Sequence, residues 1–219
     1  MHHLARPTHE AAPETRGNTI RWAKYYDRFV RLLTLGRENA LREETIRVAA
    51  IQPGETVLDV GCGTGSLTLL AKAAAGTQGK VYGIDAAPEM IHVAHQKAAQ
   101  QQHEVSFQVG LIEALQFPDA TFDVVLSSLM FHHLPDDLKQ RGLAEIFRVL
   151  KPGGRLLIVD MTGTTGFIQH LSLAGLVHHR LTTGVQQLPP VLKEAGYVGI
   201  ETGNMPMMQV GYIRGQRGN

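Results

Sequence analysis

The sequence contains one cysteine, Cys62, among its 219 residues. A single thiol excludes an internal disulfide framework and any zinc or iron–sulfur site that needs several cysteine ligands. An unpaired thiol suits a reducing compartment, so we expect a cytoplasmic protein. The first 18 residues also lack the apolar stretch, roughly 7–15 residues long, that a secretory signal requires. We therefore expect residues 1–18 to form a flexible tail.

The chain also lacks an excess of charge of either sign and a long apolar run. Lysine and arginine together number 21 and aspartate and glutamate 20, so no overall field attracts nucleic acid, and no nucleic-acid partner is expected. Residues 161–179 carry no formal charge, but their threonine, glycine, glutamine and histidine disfavour a membrane-spanning helix. Aromatic residues make up only 6%, yet the hydrophobic share of 43% suffices for a folded core.

Strand and helix patterns alternate along the middle of the chain. Short runs rich in valine, isoleucine and leucine predict strands at residues 56–60, 80–84, 105–109, 122–127 and 155–160. Helical spacing of apolar residues predicts helices at 67–75, 88–102 and 138–150, and the sequence KPGG at 151–154 predicts a turn. Strands that alternate with helices form crossover units around a parallel sheet covered on both sides.

The two ends of the chain add to this core. Helices are predicted at 19–36, 38–51, 165–181 and 189–195, and a closing antiparallel hairpin at 197–202 and 207–213. The sequence therefore predicts an α/β fold: a Rossmann-like, doubly wound, mainly parallel seven-stranded sheet with helices on both faces, in a single domain over 19–219. One face of the first helix is basic, through Arg21, Lys24, Arg28 and Arg31. This face suits peripheral contact with an anionic membrane, although an ordinary solvent-exposed face is the alternative.

A glycine-rich turn follows the first predicted strand, in the sequence VLDVGCGTG at residues 57–65. Glycines let the backbone bend tightly and approach a ligand closely, and the next helix begins with unpaired N–H groups. A dinucleotide-binding loop has the pattern GxGxxG, but Ser66 stands where its third glycine would be, which favours a ligand without a pyrophosphate. Asp85 ends the second strand, where a carboxylate can accept both hydroxyls of a ribose or can simply cap the next helix. An adenosine-containing ligand is expected.

Four segments in this order and spacing resemble the class I S-adenosylmethionine-dependent methyltransferases. They are VLDVGCGTG, YGIDAAPEM, FPDATFDVVLSSLMFHHLPD and EIFRVLKPGGRLLIVD, within a match over residues 26–160. The resemblance implies S-adenosylmethionine as cofactor and S-adenosylhomocysteine as product. It also implies that residues 53–160 form the cofactor-binding core and 161–219 the substrate-side helices and hairpin.

The resemblance implies a set of cofactor contacts. The glycines of the loop would line the methionine part, Asp59 would organise the loop and its ammonium contacts, and Asp85 would hold the ribose. Met90 would cover the adenine, or would pack in the core instead. The full set is Asp59, Gly61, Cys62, Gly63, Gly65, Asp85, Ala86, Met90, Leu111, Ile112 and Ser127. Cys62 is interpreted as a small turn residue, and Ser127 as the end of the fourth strand that offers a backbone carbonyl. Leu111 stands where relatives commonly carry an aspartate for the adenine amine, so weaker binding is expected.

The residues predicted to contact the methyl acceptor are two adjacent histidines and a tyrosine of the N-terminal segment. His132 and His133 follow the fourth strand and are the candidates for contact with the acceptor and for a general base; no metal is expected, since their spacing is not that of a metal motif. The residues around Tyr26 resemble the ubiquinone and menaquinone C-methyltransferases, which implies a helical lid at 19–52 and a substrate contact, or simple packing, for Tyr26.

A small-molecule or lipid-like acceptor, such as a quinone precursor or phospholipid, is expected. The alternatives are a nucleotide-dependent oxidoreductase and a cofactor-binding protein without turnover.

Overall fold

The computed structural model describes residues 14–17, 23, 31, 36–163, 184–207 and 209–218. Nearly all of the predicted helix at 19–36, with Tyr26 and most of its basic face, lies outside these residues, as does the predicted helix at 165–181. Within the described ranges, no helix has the length and apolar character needed to cross a membrane.

A seven-stranded sheet forms the centre of the protein, in the order β3-β2-β1-β4-β5-β7-β6. Strand β7 is antiparallel to both of its neighbours, β5 and β6, and the other neighbouring pairs are parallel. This confirms the predicted mainly parallel fold with a closing hairpin. The strands are β1 (Thr56–Val60), β2 (Lys80–Asp85), β3 (Ser106–Val109), β4 (Phe122–Ser128), β5 (Leu150–Met161), β6 (Tyr197–Asn204) and β7 (Val210–Arg217).

Helices cover both faces of the sheet because neighbouring residues of each strand point to opposite sides. In β1, Leu58 belongs to the core beneath α4, whereas Val57 belongs to the core beneath α1 and α2. Leu143 and Ile146 form part of the buried stripe of α4. The helices are α1 (Glu38–Ala49), α2 (Ser66–Ala75), α3 (Pro88–Gln101), α4 (Asp136–Val149) and α5 (Pro189–Glu194), with short 3₁₀ turns at Phe131–His133 and Val185–Gln187.

Two strands begin three or more residues away from the predicted start. Strand β5 begins at Leu150, which pairs with Phe122, and the KPGG segment forms an irregularity before regular pairing resumes at Arg155. The closing strand β7 begins at Val210, three residues later than predicted, because the Met205 N–H donates to the Val210 carbonyl oxygen and the Val210 N–H donates to that of Met207, which closes a turn there. The strand order reverses between β1 and β4, and open α/β sheets bind ligands at the crevice formed there.

Candidate active site

The glycine loop connects β1 to α2 in a conformation that only glycine adopts freely. Gly61, Gly63 and Gly65 have φ values of +75°, +53° and +77°. The N–H groups of Gly61 and Cys62 both donate to the carbonyl oxygen of Ile84 at 2.9 Å, which ties the loop to β2. A Cβ atom on Gly61 would lie 2.4 Å from Cγ of Met130, so the loop also needs glycine for space.

The side chain of Asp85 is hydrogen-bonded both to the glycine loop and to the start of α3. Its Oδ2 accepts a hydrogen bond from the Gly63 N–H and its Oδ1 one from the Ala87 N–H, each at 2.9 Å. Burial raises the pKa of Asp85, while the two N–H donors oppose that rise. Each carboxylate oxygen keeps a second lone pair, so the group can also accept the two hydroxyls of a ribose.

Asp59 is a buried carboxylate with an unused oxygen. Its Oδ2 accepts a hydrogen bond from Oγ1 of Thr68 at 2.7 Å, and Oδ1 has no partner among the residues described. Burial raises the pKa of Asp59 to about 7, and the charge of Asp85 adds to the effect. A buried acceptor without a donor is uncommon and is complementary to a positively charged ligand group such as an ammonium.

Two cavities meet at the glycine loop. The main cavity contains eight of the predicted site residues, namely Gly61, Gly63, Asp85, Ala86, Met90, Leu111, Ile112 and His133. The side cavity lies between the loop and α1, and its lining includes Asp59, Cys62 and Glu38. Gly61, Gly63, Ser128 and Leu129 line both cavities, so one extended ligand could contact both sides of the loop.

The structure places two predicted cofactor residues outside both linings. Gly65 faces α3 instead, since a Cβ on it would lie 2.7 Å from Phe107 and 2.9 Å from Ala94. Ser127 is buried within the sheet, where its hydroxyl donates to the carbonyl oxygen of Val60 at 2.9 Å. Strand β4 ends one residue later than predicted, and Ser128 takes the place at the cavities.

The thiol of Cys62 is poorly suited to nucleophilic chemistry. The residue is buried, and burial raises the pKa of its thiol well above the ordinary value, with the nearby charges of Asp59 and Asp85 adding to the rise. A nucleophile requires the thiolate. The structure therefore supports the interpretation of Cys62 as a small residue of the turn.

The two histidines lie side by side in the 3₁₀ turn after β4. His133 lines the main cavity, whereas the other predicted catalytic residue, His132, lines neither cavity. Burial lowers the pKa of the His133 imidazole, as does the neighbouring His132. The two rings are 3.9 Å apart between centroids. Nδ1 of His132 lies 2.6 Å from Oδ1 of Asp160, a buried residue near the carboxyl end of β5. Sequence reasoning missed Asp160, although an acidic residue near the end of a strand is the signal that identified Asp85.

Residues 14–17, part of the predicted tail, contact the cavity wall. Thr15 and Gly17 line the main cavity, and Oγ1 of Thr15 donates to Oε1 of Glu113 at 3.0 Å. Arg16 forms an ion pair with Asp137 at the start of α4. Sequence reasoning also missed Glu113, Met130 and Ser128 as cavity residues. Within the described ranges, no three acidic, histidine or cysteine side chains are grouped to hold a metal ion.

Comparison with known proteins identifies the same segment. Residues 57–154 match the family described as a methyltransferase domain. The chain is 39% identical over 159 residues to an arsenite methyltransferase of Halobacterium salinarum, a match over 70% of this chain and 40% of that protein. It is 37% identical over 147 residues to a demethylmenaquinone methyltransferase of Bacillus cereus, over 66% of this chain and 61% of the relative. The chain thus spans between two fifths and about three fifths of the length of these relatives.

A solved structure with the same fold covers nearly the whole core. The S-adenosylmethionine-dependent methyltransferase of Aquifex aeolicus superposes with a TM-score of 0.70 at 22% identity, over 86% of this chain and 97% of that one. The glycine cradle, the Asp85 clamp and the Asp59 oxygen that has no partner among the described residues fit S-adenosylmethionine, because they offer open backbone, acceptors for hydroxyls and an acceptor for an ammonium. Residues 57–154 thus carry a methyltransferase domain, and the chain is similar to the class I S-adenosylmethionine-dependent methyltransferases in fold and in its cofactor-binding segment.

Proposed function

We propose that this chain transfers the methyl group of S-adenosylmethionine to a small, uncharged acceptor with an apolar ring, such as a quinone precursor in its reduced form. The observation that carries the proposal is the make-up of the main cavity. A nucleoside clamp, Asp85 with Gly63, borders it on one side, and Leu129, Met130 and His133 border it on another. This arrangement puts apolar surface and an imidazole within the same cavity as the cofactor clamp.

The geometry described above supports a set of proposed cofactor contacts. Asp85 accepts the ribose hydroxyls, and Met90 and Ile112 provide apolar surface for the adenine. Asp59 accepts the ammonium through Oδ1 from the side cavity. Bound S-adenosylmethionine supplies an electrophilic methyl group on a positively charged sulfur, so the protein mainly has to hold the acceptor in line with it in a dry site.

The charge of the main cavity argues for an uncharged acceptor. Its described lining contains Asp85 and Glu113 but neither lysine nor arginine, and His133 has a lowered pKa, so an anionic phosphate group would be unfavourable there. This disfavours the phospholipid alternative. Arsenite is also a poor fit, because arsenic(III) prefers several thiolates and the sequence has only Cys62.

A binding and turnover experiment tests the proposal. Thermal melting with S-adenosylhomocysteine and with NADH comes first, because a bound ligand raises the melting temperature according to its affinity. Stabilisation by NADH alone would support the oxidoreductase alternative. Transfer of radiolabelled methyl is then measured to reduced demethylmenaquinone with a short prenyl chain, to phosphoethanolamine and to arsenite. We expect methylation of the first only, and cofactor binding without transfer to any acceptor would contradict the proposal.

We also propose a cytoplasmic protein that contacts the membrane peripherally through the basic face of residues 19–36. A lipid-like acceptor and the four basic residues of that segment support this placement. Co-sedimentation with vesicles that contain an anionic lipid tests it: we expect binding that salt weakens. Equal binding to vesicles of neutral lipid would count against the electrostatic contact.

A further inference from the structure

We infer that Asp160 is a positioning residue that fixes His132 as a base for an acceptor bearing a hydroxyl group. The inference rests on the proposed methyl transfer and narrows its acceptor class. The observation behind it is the contact between His132 and Asp160, which lie at the ends of two different strands. His132 follows β4, and Asp160 lies 28 residues later, near the carboxyl end of β5.

The Asp160 carboxylate holds His132 at two points. Oδ2 accepts a hydrogen bond from the backbone N–H of His132 at 3.0 Å, and Oδ1 lies 2.6 Å from its Nδ1. The backbone N–H of Met161 also donates to Oδ1, at 2.7 Å. Because two backbone donors already point at this carboxylate, its oxygens act as acceptors and Nδ1 of His132 is the donor.

This hydrogen bond selects one form of the neutral imidazole. With the proton on Nδ1, Nε2 is unprotonated and can take up a proton. Among the described residues Nε2 has no hydrogen-bond partner, and about one fifth of the His132 side chain is exposed. The Asp160 side chain is 3% exposed, so water competes little for its contact with the His132 ring.

His132 is not itself part of either cavity lining, but its ring centroid lies 3.9 Å from that of His133, which lines the main cavity. A base at this edge of the cavity suits a hydroquinone. As Nε2 of His132 takes the hydroxyl proton, the electron density of the oxygen reaches the neighbouring ring carbon. That carbon forms a bond to the methyl group, and the sulfur keeps the electron pair of the broken carbon–sulfur bond, which gives the sulfide product. The ring carbon then loses its hydrogen as a proton, and the oxygen regains one from the imidazolium. One proton is released overall, and no oxidant or reductant is consumed.

The test compares Asp160→Asn with Asp123→Asn. Asp123 is a suitable control because it also accepts a backbone hydrogen bond, from Thr56, but lies at the amino end of β4. With reduced short-chain demethylmenaquinone as the probe, we expect Asp160→Asn to lower kcat about 100-fold near neutral pH, as is typical for loss of general-base catalysis. The KM and the affinity for S-adenosylhomocysteine should stay unchanged, and Asp123→Asn should keep the wild-type kcat.

The pH profile separates a positioning role from a structural one. At high pH the hydroquinone ionises by itself, as phenols do near pH 10, so the defect of Asp160→Asn should shrink. A defect that is the same at every pH, or that appears as weaker cofactor binding or a lower melting temperature, overturns the inference. Methylation of arsenite or phosphoethanolamine in place of the hydroquinone overturns it as well.

Imidazole ¹⁵N NMR provides a readout that does not depend on turnover. In the wild type we expect His132 to carry its proton on Nδ1, and in Asp160→Asn we expect that form to lose its preference. A wild-type His132 protonated on Nε2 overturns the inference even if the enzyme is active. If no probe is methylated while His132 has the expected form, it is the proposed function that fails, whereas the positioning by Asp160 stands.

Discussion

Replacement of Asp59 by asparagine should remove a pH-dependent cost of folding. The carboxylate is buried in β1, one of its oxygens has no partner in the described part of the chain, and burial raises its pKa to about 7. An aspartate in the unfolded chain has a pKa of about 3.9. One unit of pKa difference corresponds to about 1.4 kcal/mol, so the ionised carboxylate lowers the free energy of unfolding by about 4 kcal/mol.

The sign follows from proton binding. Between about pH 4 and pH 7 the folded protein holds a proton on Asp59 that the unfolded chain has released, so stability falls as the pH rises. Most of this change can be measured near neutral pH, because the destabilisation by ionised Asp59 grows by about 2.5 kcal/mol from pH 5 to pH 8. Asparagine keeps an oxygen acceptor for Thr68 and carries no charge. The variant should therefore be more stable than the wild type at pH 8, and the difference should shrink by that amount at pH 5.

Urea unfolding followed by circular dichroism at several pH values measures this difference. The slopes with denaturant should agree between the two proteins, so that a shift in midpoint reports stability. Asp123→Asn serves as the control for loss of a carboxylate elsewhere in the sheet. Parallel profiles for wild type and Asp59→Asn between pH 5 and pH 8 would refute the reasoning, because they would mean that Asp59 does not change its protonation there on folding.

Three further predictions concern the cofactor site. If the ammonium of the cofactor needs an ionised Asp59, calorimetry should find S-adenosylhomocysteine binding about 100-fold weaker at pH 5 than at pH 8, with no such dependence in Asp59→Asn. Gly61→Ala should abolish this binding, because its Cβ would lie 2.4 Å from the Met130 side chain and its φ is +75°. Gly65→Ala, by contrast, should mainly lower the free energy of unfolding, by about 2–4 kcal/mol in urea. Equal effects of the two on affinity would contradict their separate placement. Leu111→Asp should tighten binding by about 0.5–1.5 kcal/mol by offering an acceptor to the adenine amine, with Leu111→Ala as the control; unchanged affinity would place the adenine elsewhere.

Several features of the site could be predicted from short stretches of sequence because their causes are local. The glycine loop is identifiable because its backbone needs positive φ angles, and Asp85 because it ends a strand next to that loop. Periodicity similarly predicts the strands of the core, since burial on both sides selects apolar β-branched residues. Tyr26 and the lid at 19–52 stay predictions, because nearly all of residues 19–35 lie outside the described ranges.

Other features depend on small shifts that a local pattern does not fix. Strand β4 extends one residue further than predicted, and consecutive residues of a strand point to opposite faces of the sheet. As a result Ser128 reaches both cavities, whereas the Ser127 hydroxyl bonds to β1. Gly65 has the same positive φ as the cavity-lining glycines, yet α3 packs over it, which only the placement of Phe107 and Ala94 decides.

The sequence by itself determined the order of strands and helices, the glycine loop after β1 and the carboxylate at the end of β2, because each of these arises from backbone angles and side-chain spacing within one strand and the turn that follows it. The tertiary structure alone decided which distant groups meet at the carboxyl edge of the sheet. Parallel strands end at the same edge however far apart they are in the chain, so crossover helices bring Asp160 against His132. They also leave one oxygen of Asp59 without a partner among the residues that the structure describes. The length and register of those crossovers, rather than any residue pattern, set these contacts.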